Sequence, residues 1–251
     1  SGPGYPCAGG AGTGITSVNM FSWRPGSAAI AFESGDAALI EAGSAFVLQV
    51  HYNNQFLPAG GPVPDLSGVA LWTMPEGTEP EFVVTRRGVY GPVGPAREGV
   101  TGGVIPAGER HVVGETTQPM SRLSAVNGKY VPGEIIGMTP HMHGLGTRLS
   151  VKLNDGHEDA CMVDVPNWDF EWQLDYSFSE PHLYEPEQML TVRCEYDNGP
   201  DNQPILDGMR IAPRDVGWGE GTLDEMCLNY VWLRLERSAF DTAPAGNRPP
   251  A

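Results

Sequence analysis

Short apolar, β-branched runs cut by dense turn signals set the pattern of this chain. Residues 45–52 (AFVLQVHY) predict a strand, with His51 near its end. Residues 134–149 (EIIGMTPHMHGLGTRL) predict a strand broken by Pro140 that continues as RLSVKL. Residues 190–195 (LTVRCE) give another short strand, and residues 228–236 (LNYVWLRLE) alternate well enough to be a fourth. Between them, residues 57–64 (LPAGGPVP), 154–158 (NDGHE) and 197–204 (DNGPDNQP) read as loops. No stretch carries a long 3.6-residue period, so the helices are expected to be short and few, and no internal repeat is present. The Gly- and Pro-rich region 78–103 reads as a join between two β units, with a boundary near residue 76. The tail from residue 237 (RSAFDTAPAGNRPPA) reads as loose.

Composition agrees with this picture. The 251 residues are 40% hydrophobic and 18% charged, with 33 Gly and 23 Pro. Such a chain is globular, with the frequent turns of an all-β protein. The net charge of −16 argues against nucleic acid, whose phosphates an acidic surface repels, and otherwise serves solubility. No run approaches the roughly 18 apolar residues that span a bilayer. The chain opens SGPGYPC without a signal peptide, as a mature or trimmed chain does. Its four cysteines, Cys7, Cys161, Cys194 and Cys227, fit two disulfides, or one with two free thiols. No CxxC pair is present, which argues against a thiolate zinc site.

The strongest chemical signal is Pro140-His141-Met142-His143-Gly144-Leu145-Gly146. Residues i and i+2 of a strand face the same way, so His141 and His143 can present two imidazoles to one metal ion. Zinc, iron, copper and manganese proteins all use such a pair. A second signal is Thr222-Leu223-Asp224-Glu225-Met226-Cys227. A methionine is ordinarily core filler, but a thioether beside two imidazoles would select copper, since soft sulfur favours Cu(I). Spacing alone does not bring Met226 to His143, 83 positions away. His111, His157 and His182 read as surface or capping residues.

In order along the chain, residues 48–52 (LQVHY), the segment HMHGLG and the segment TLDEMC resemble the copper type II ascorbate-dependent monooxygenases, the family of peptidylglycine α-hydroxylating monooxygenase and dopamine β-hydroxylase. Residues 104–109 (VIPAGE) are similar to a further segment of that family, and residues 196–202 (YDNGPDN) are similar to its bacterial members. The resemblance implies an antiparallel, jelly-roll-like β-sandwich, one complete domain preceded by part of another. Residues 1–76 would be the end of a first, electron-transfer copper domain, 77–236 the catalytic copper domain and 237–251 a tail. It implies one copper held by His141, His143 and Met226, and a second that uses His51. An adjacent His-His pair would complete the second site, and the sequence contains none. It implies hydroxylation of a C–H bond with dioxygen and an ascorbate-type reductant, on a small-molecule or peptide-like substrate. Tyr230 matches a family tyrosine that helps grip a substrate carboxylate, whereas Thr139 stands where peptide-hydroxylating members have an arginine. That half clamp argues against a glycine-extended peptide. The resemblance also pairs Cys227 with Cys194 and leaves Cys7 and Cys161 without family partners. The acidic balance and the disulfide favour a periplasmic or secreted location. The competing reading is a non-catalytic copper-binding protein for storage, delivery or sensing, or a structural β-sandwich with a vestigial site.

Overall fold

The computed structural model describes residues 18–24, 26–52, 64, 66–206 and 208–241. Eight long strands make two packed sheets. They are β1 (Phe82–Gly91), β2 (Arg110–Pro119), β3 (Gly133–His141), β4 (Gly146–Asn154), β5 (Asp159–Val165), β6 (Tyr176–Leu183), β7 (Met189–Asp197) and β8 (Cys227–Glu236). One sheet runs β1-β8-β3-β6, with the two-residue strand Asp36–Ala37 added in parallel beside β1. The other runs β2-β7-β4-β5, and every pairing between the eight strands is antiparallel. The four-residue helix Met120–Leu123 is the only α-helix among the described residues.

Alternation explains the packing. In β7, Leu190, Val192, Cys194 and Tyr196 are buried while their neighbours are half-exposed, and in β4 Leu149, Val151 and Leu153 are buried with Arg148 and Lys152 exposed between and beside them. They meet Val89 of β1, Ile135 and Met138 of β3, and Val231, Leu233 and Leu235 of β8 in one core. Cys194 and Cys227 are joined across it, 5.8 Å apart at Cα, so the disulfide ties the two sheets together beside Met226. This is the pairing that the family resemblance implied. Cys161 is exposed and without a disulfide partner among the described residues; Cys7, its other candidate, lies outside them.

The same alternation turns Leu228, Tyr230, Trp232 and Arg234 of β8 toward the opposite, outer face of the five-stranded sheet. Residues 18–37 cover part of that face. Phe21 and Phe32 each place a ring centroid 6.5 Å from that of Trp232. Arg234 donates to Asp36 at 2.8 Å and to Glu134 at 2.9 Å.

Three expectations need correction. Residues 45–52 form no strand: Phe46, Leu48 and Val50 lie exposed rather than against a sheet, and no ladder satisfies the segment's backbone groups as a strand requires. Residues 82–91 are not a join but β1, zipped along the whole length of β8. Its arginines and glycine hide the apolar pattern, because Arg86 is held between aromatic rings. Pro140 does not break its strand. β6 pairs only with residues 134–138 of β3, so at Pro140 that side of the ladder is empty and the missing N–H costs nothing. The break falls instead at residues 142–145. The tail begins with the 3₁₀ turn Arg237–Phe240, and Phe240 packs on the core.

Candidate metal centre

β3 delivers His141 as its last residue, and the chain turns through His143 before β4 begins. The two rings stand edge to face, with centroids 5.1 Å apart. Each is anchored through Nδ1. The Gln173 amide donates to the Phe170 carbonyl, which leaves Gln173 Oε1 to accept from His141 Nδ1 at 2.6 Å. His143 Nδ1 donates to the Asp224 carbonyl at 2.9 Å. A carbonyl only accepts, so both rings carry their proton on Nδ1 and offer a free Nε2 lone pair. Burial pushes the His141 pKa down to about 4, with the neighbouring His143 adding to the shift and the bond to Gln173 opposing it. Burial also lowers His143, against the pull of the Asp224 carbonyl. Phe170 stacks edge-on against His143, and Trp168 Nε1 donates to the His143 carbonyl at 3.1 Å.

Tertiary contacts supply what sequence spacing does not. Glu225 is fully buried. Its Oε2 accepts from the backbone N–H of His143 at 2.9 Å and of Met226 at 3.2 Å, and its Oε1 accepts from Leu145 at 2.6 Å. One carboxylate oxygen thus binds the amides of two expected ligands, and a buried carboxylate needs such donors to offset its desolvation. Burial raises its pKa to about 7, with the N–H groups of His143, Leu145, Met226 and Gly146 pulling the other way. Tyr196 donates to the Met226 carbonyl at 2.9 Å, and Met226 is itself buried.

The remaining expected site residues fall as follows. His51 lies in exposed coil, within electrostatic reach of both His141 and His143. Tyr230 pairs across the ladder with Thr139, on the outer face two residues from His141. Its hydroxyl lies 3.4 Å from that of Tyr90, and burial raises its pKa. Thr139 donates to Asp175 at 2.5 Å and accepts from Trp232 Nε1 at 2.9 Å. His111 sits at a bulge in β2 with a positive φ of 63°, and His157 lies in a turn whose N–H is held by Asp155. Glu225, Gln173 and Trp168 escape sequence reasoning. Glu225 sits inside a recognised motif but looks like any turn acid, and the segment containing Gln173 and Trp168 has no spacing that marks it.

Among the described residues no set of three His, Cys, Asp or Glu could hold a metal ion. Met226 is tied to this corner through its backbone N–H and carbonyl; a thioether joining the two imidazoles would suit Cu(I) better than zinc or a hard cation. Residues 99–238 match the family model described as copper type II ascorbate-dependent monooxygenase, C-terminal domain. No curated protein matches the chain.

Proposed function

The chain belongs to the copper type II ascorbate-dependent monooxygenases through their C-terminal domain, and from that premise we propose that His141, His143 and Met226 hold one copper ion that serves the hydroxylation of a C–H bond with dioxygen and an ascorbate-type reductant. The observation that carries this reading is the pair of imidazoles with Nδ1 committed and Nε2 free, tied through Glu225 to Met226. When bound, copper supplies the one-electron chemistry that activates dioxygen toward a C–H bond.

The protein's own residues do the rest. Gln173 and the Asp224 carbonyl fix each imidazole's tautomer and direction, as partners outside the ligand set do in metal sites generally. Burial lowers the pKa of both rings and so favours the neutral form that can ligate. Glu225 clamps the 143–146 turn to the start of β8, and the Cys194–Cys227 bridge fixes the backbone on the other side of Met226. Three protein ligands leave an open position, which a catalytic metal needs. The engaged hydroxyl of Thr139 supports a substrate other than a glycine-extended peptide. A second copper at His51 needs ligands that the described residues do not supply. The disulfide supports an extracytoplasmic location.

The test is a Cu(I) titration against a chromogenic chelator, with X-ray absorption to read copper–sulfur scattering. The parent chain is expected to bind one Cu(I) at this site with a sulfur neighbour. Met226→Ile should lose the sulfur signal and bind at least tenfold more weakly, with an unchanged melting profile. A variant that binds Cu(I) as tightly as the parent refutes the third ligand. Tight Cu(I) binding without ascorbate-dependent oxygen consumption moves the reading to copper storage, delivery or sensing.

A further inference from the structure

The two imidazoles of the metal corner sit in different fields. His141 leans on the neutral amide of Gln173 and feels the cation of Arg24. His143 leans on the Asp224 carbonyl and feels the carboxylates of Asp224 and Glu220. Both carboxylates stand on one short loop, residues 217–225, so whatever shapes that loop decides how His143 is held.

The loop closes on itself. Gly219 N–H donates to the Glu225 carbonyl at 3.0 Å, and Glu225 N–H donates to the Gly217 carbonyl at 3.1 Å. Inside that frame Asp224 is bound twice to Gly221. Its N–H donates to the Gly221 carbonyl at 2.9 Å, and its Oδ2 accepts from the Gly221 N–H at 3.1 Å. A short acidic side chain that takes a backbone N–H of its own turn fixes the shape of that turn. Here the carbonyl of the same residue accepts from His143 Nδ1 at 2.9 Å. Two glycines leave room for the carboxylate. A Cβ on Gly219 would lie 2.9 Å from the Asp224 Cβ and closer still to its carboxylate, and a Cβ on Gly221 would lie 2.8 Å from Oδ2. Neither glycine has a positive φ, so the backbone conformation does not call for them, whereas the packed carboxylate does.

We propose that the Asp224 carboxylate is a positioning residue for the metal centre: it clips the 217–225 loop so that the Asp224 carbonyl orients His143, and it sets a negative charge behind that ligand. For the metal this inference rests on the copper reading above; the hold on His143 does not. A partner behind a ligand imidazole fixes its tautomer and strengthens it as a donor. The charge adds a second effect. Its energy beside an ion is proportional to the ion's own charge. Removing it therefore costs Cu(II) the square of the factor that it costs Cu(I), whereas a change of geometry alone has no reason to follow that rule.

Two variants of the full chain separate the parts. Asp224→Asn keeps an oxygen for the Gly221 N–H and removes the charge. Gly219→Ala keeps the charge and takes the space that the side chain occupies. Asp224 is half-buried on a loop, so both changes spare the core. The first measurement is metal-free: ¹⁵N NMR of the histidine rings at pH 8. The parent and Asp224→Asn should hold His143 with its proton on Nδ1, and Gly219→Ala should let the Nε2–H form appear. A Gly219→Ala chain with the parent's tautomer overturns the proposal. The second measurement is competition of Cu(I) and of Cu(II) against chelators. Asp224→Asn should weaken Cu(I) roughly fivefold and Cu(II) roughly twenty-five-fold. Equal losses for the two ions, or none, overturn the proposal. The parent keeps the two readings apart. A parent that binds copper through His141, His143 and Met226 while the variants behave like it removes this inference alone. A parent that binds no copper removes the metal reading, and the tautomer result still decides whether Asp224 positions His143.

Discussion

His141 gains its readiness for metal by losing water. Burial beside a second imidazole holds its folded pKa at about 4, against about 6.5 for an unperturbed histidine. Between those values the unfolded chain binds a proton that the folded chain refuses. The contribution to stability is therefore present above about pH 6.5 and lost as the pH falls toward 4. Glu225 runs the other way, since its raised pKa of about 7 favours the fold in acid and costs stability as the pH rises from about 4.5 to 7. The parent's pH profile sums the two, so the comparison that isolates His141 is with His141→Gln, both chains metal-free. Urea unfolding should show the parent's advantage over this variant to be about 3 kcal/mol larger at pH 7 than at pH 4. A difference that does not change with pH would mean that the imidazole is not desolvated.

Elements hold the proposed ligands by converging, and two ties do this. Glu225 binds the turn after β3 to the start of β8, and the disulfide binds β8 to β7. The bridge closes a loop of 33 residues, worth about 3–4 kcal/mol in the chain-entropy model. Replacing both cysteines by serine should lower the unfolding free energy by about that amount in a denaturant titration, with the sheets still formed by far-UV circular dichroism. A loss below about 1 kcal/mol would mean that the fold holds the sheets together without it. At this scale much was legible beforehand. Residues 190–195 and 228–236 carry enough alternation to be read as strands, and they are. β1 was not legible, because its pattern includes Arg86, which cross-strand aromatic rings bury from the side. The 45–52 run was over-read for the opposite reason: apolar alternation offers a face to bury but does not provide the strand that would cover it.

For the whole molecule, residues 18–24 and 26–37 form part of the sheet's outer wall. Phe21 and Phe32 cover Trp232, and Asp36, nearly fully buried, pairs with Arg234. Uncovering the two half-buried phenylalanine rings costs up to roughly 1.5–3 kcal/mol each, and Arg234 keeps Glu134 as its partner. A chain that starts at residue 38 should therefore be less stable by about 3 kcal/mol or more, and Trp232 should become accessible to acrylamide quenching. Unaltered stability and quenching would show that residues 18–37 are not part of the packed wall.

Local patterns sufficed for the all-β class, for most of the second half's strands and for the two neighbouring imidazoles. Each depends on side chains a few residues apart, and strand geometry alone decides where those point. The partners of those imidazoles were a different matter. Met226 reached them in the sequence only through a family resemblance, Glu225 stood in the same motif with nothing to mark it as more than a turn acid, and Gln173 and Arg86 had no signal. Their roles depend on which strands lie side by side and on which groups lose their water. A carboxylate in a turn motif and an arginine in a strand become a clamp and a buried cation only once two sheets and a covering segment have closed around them.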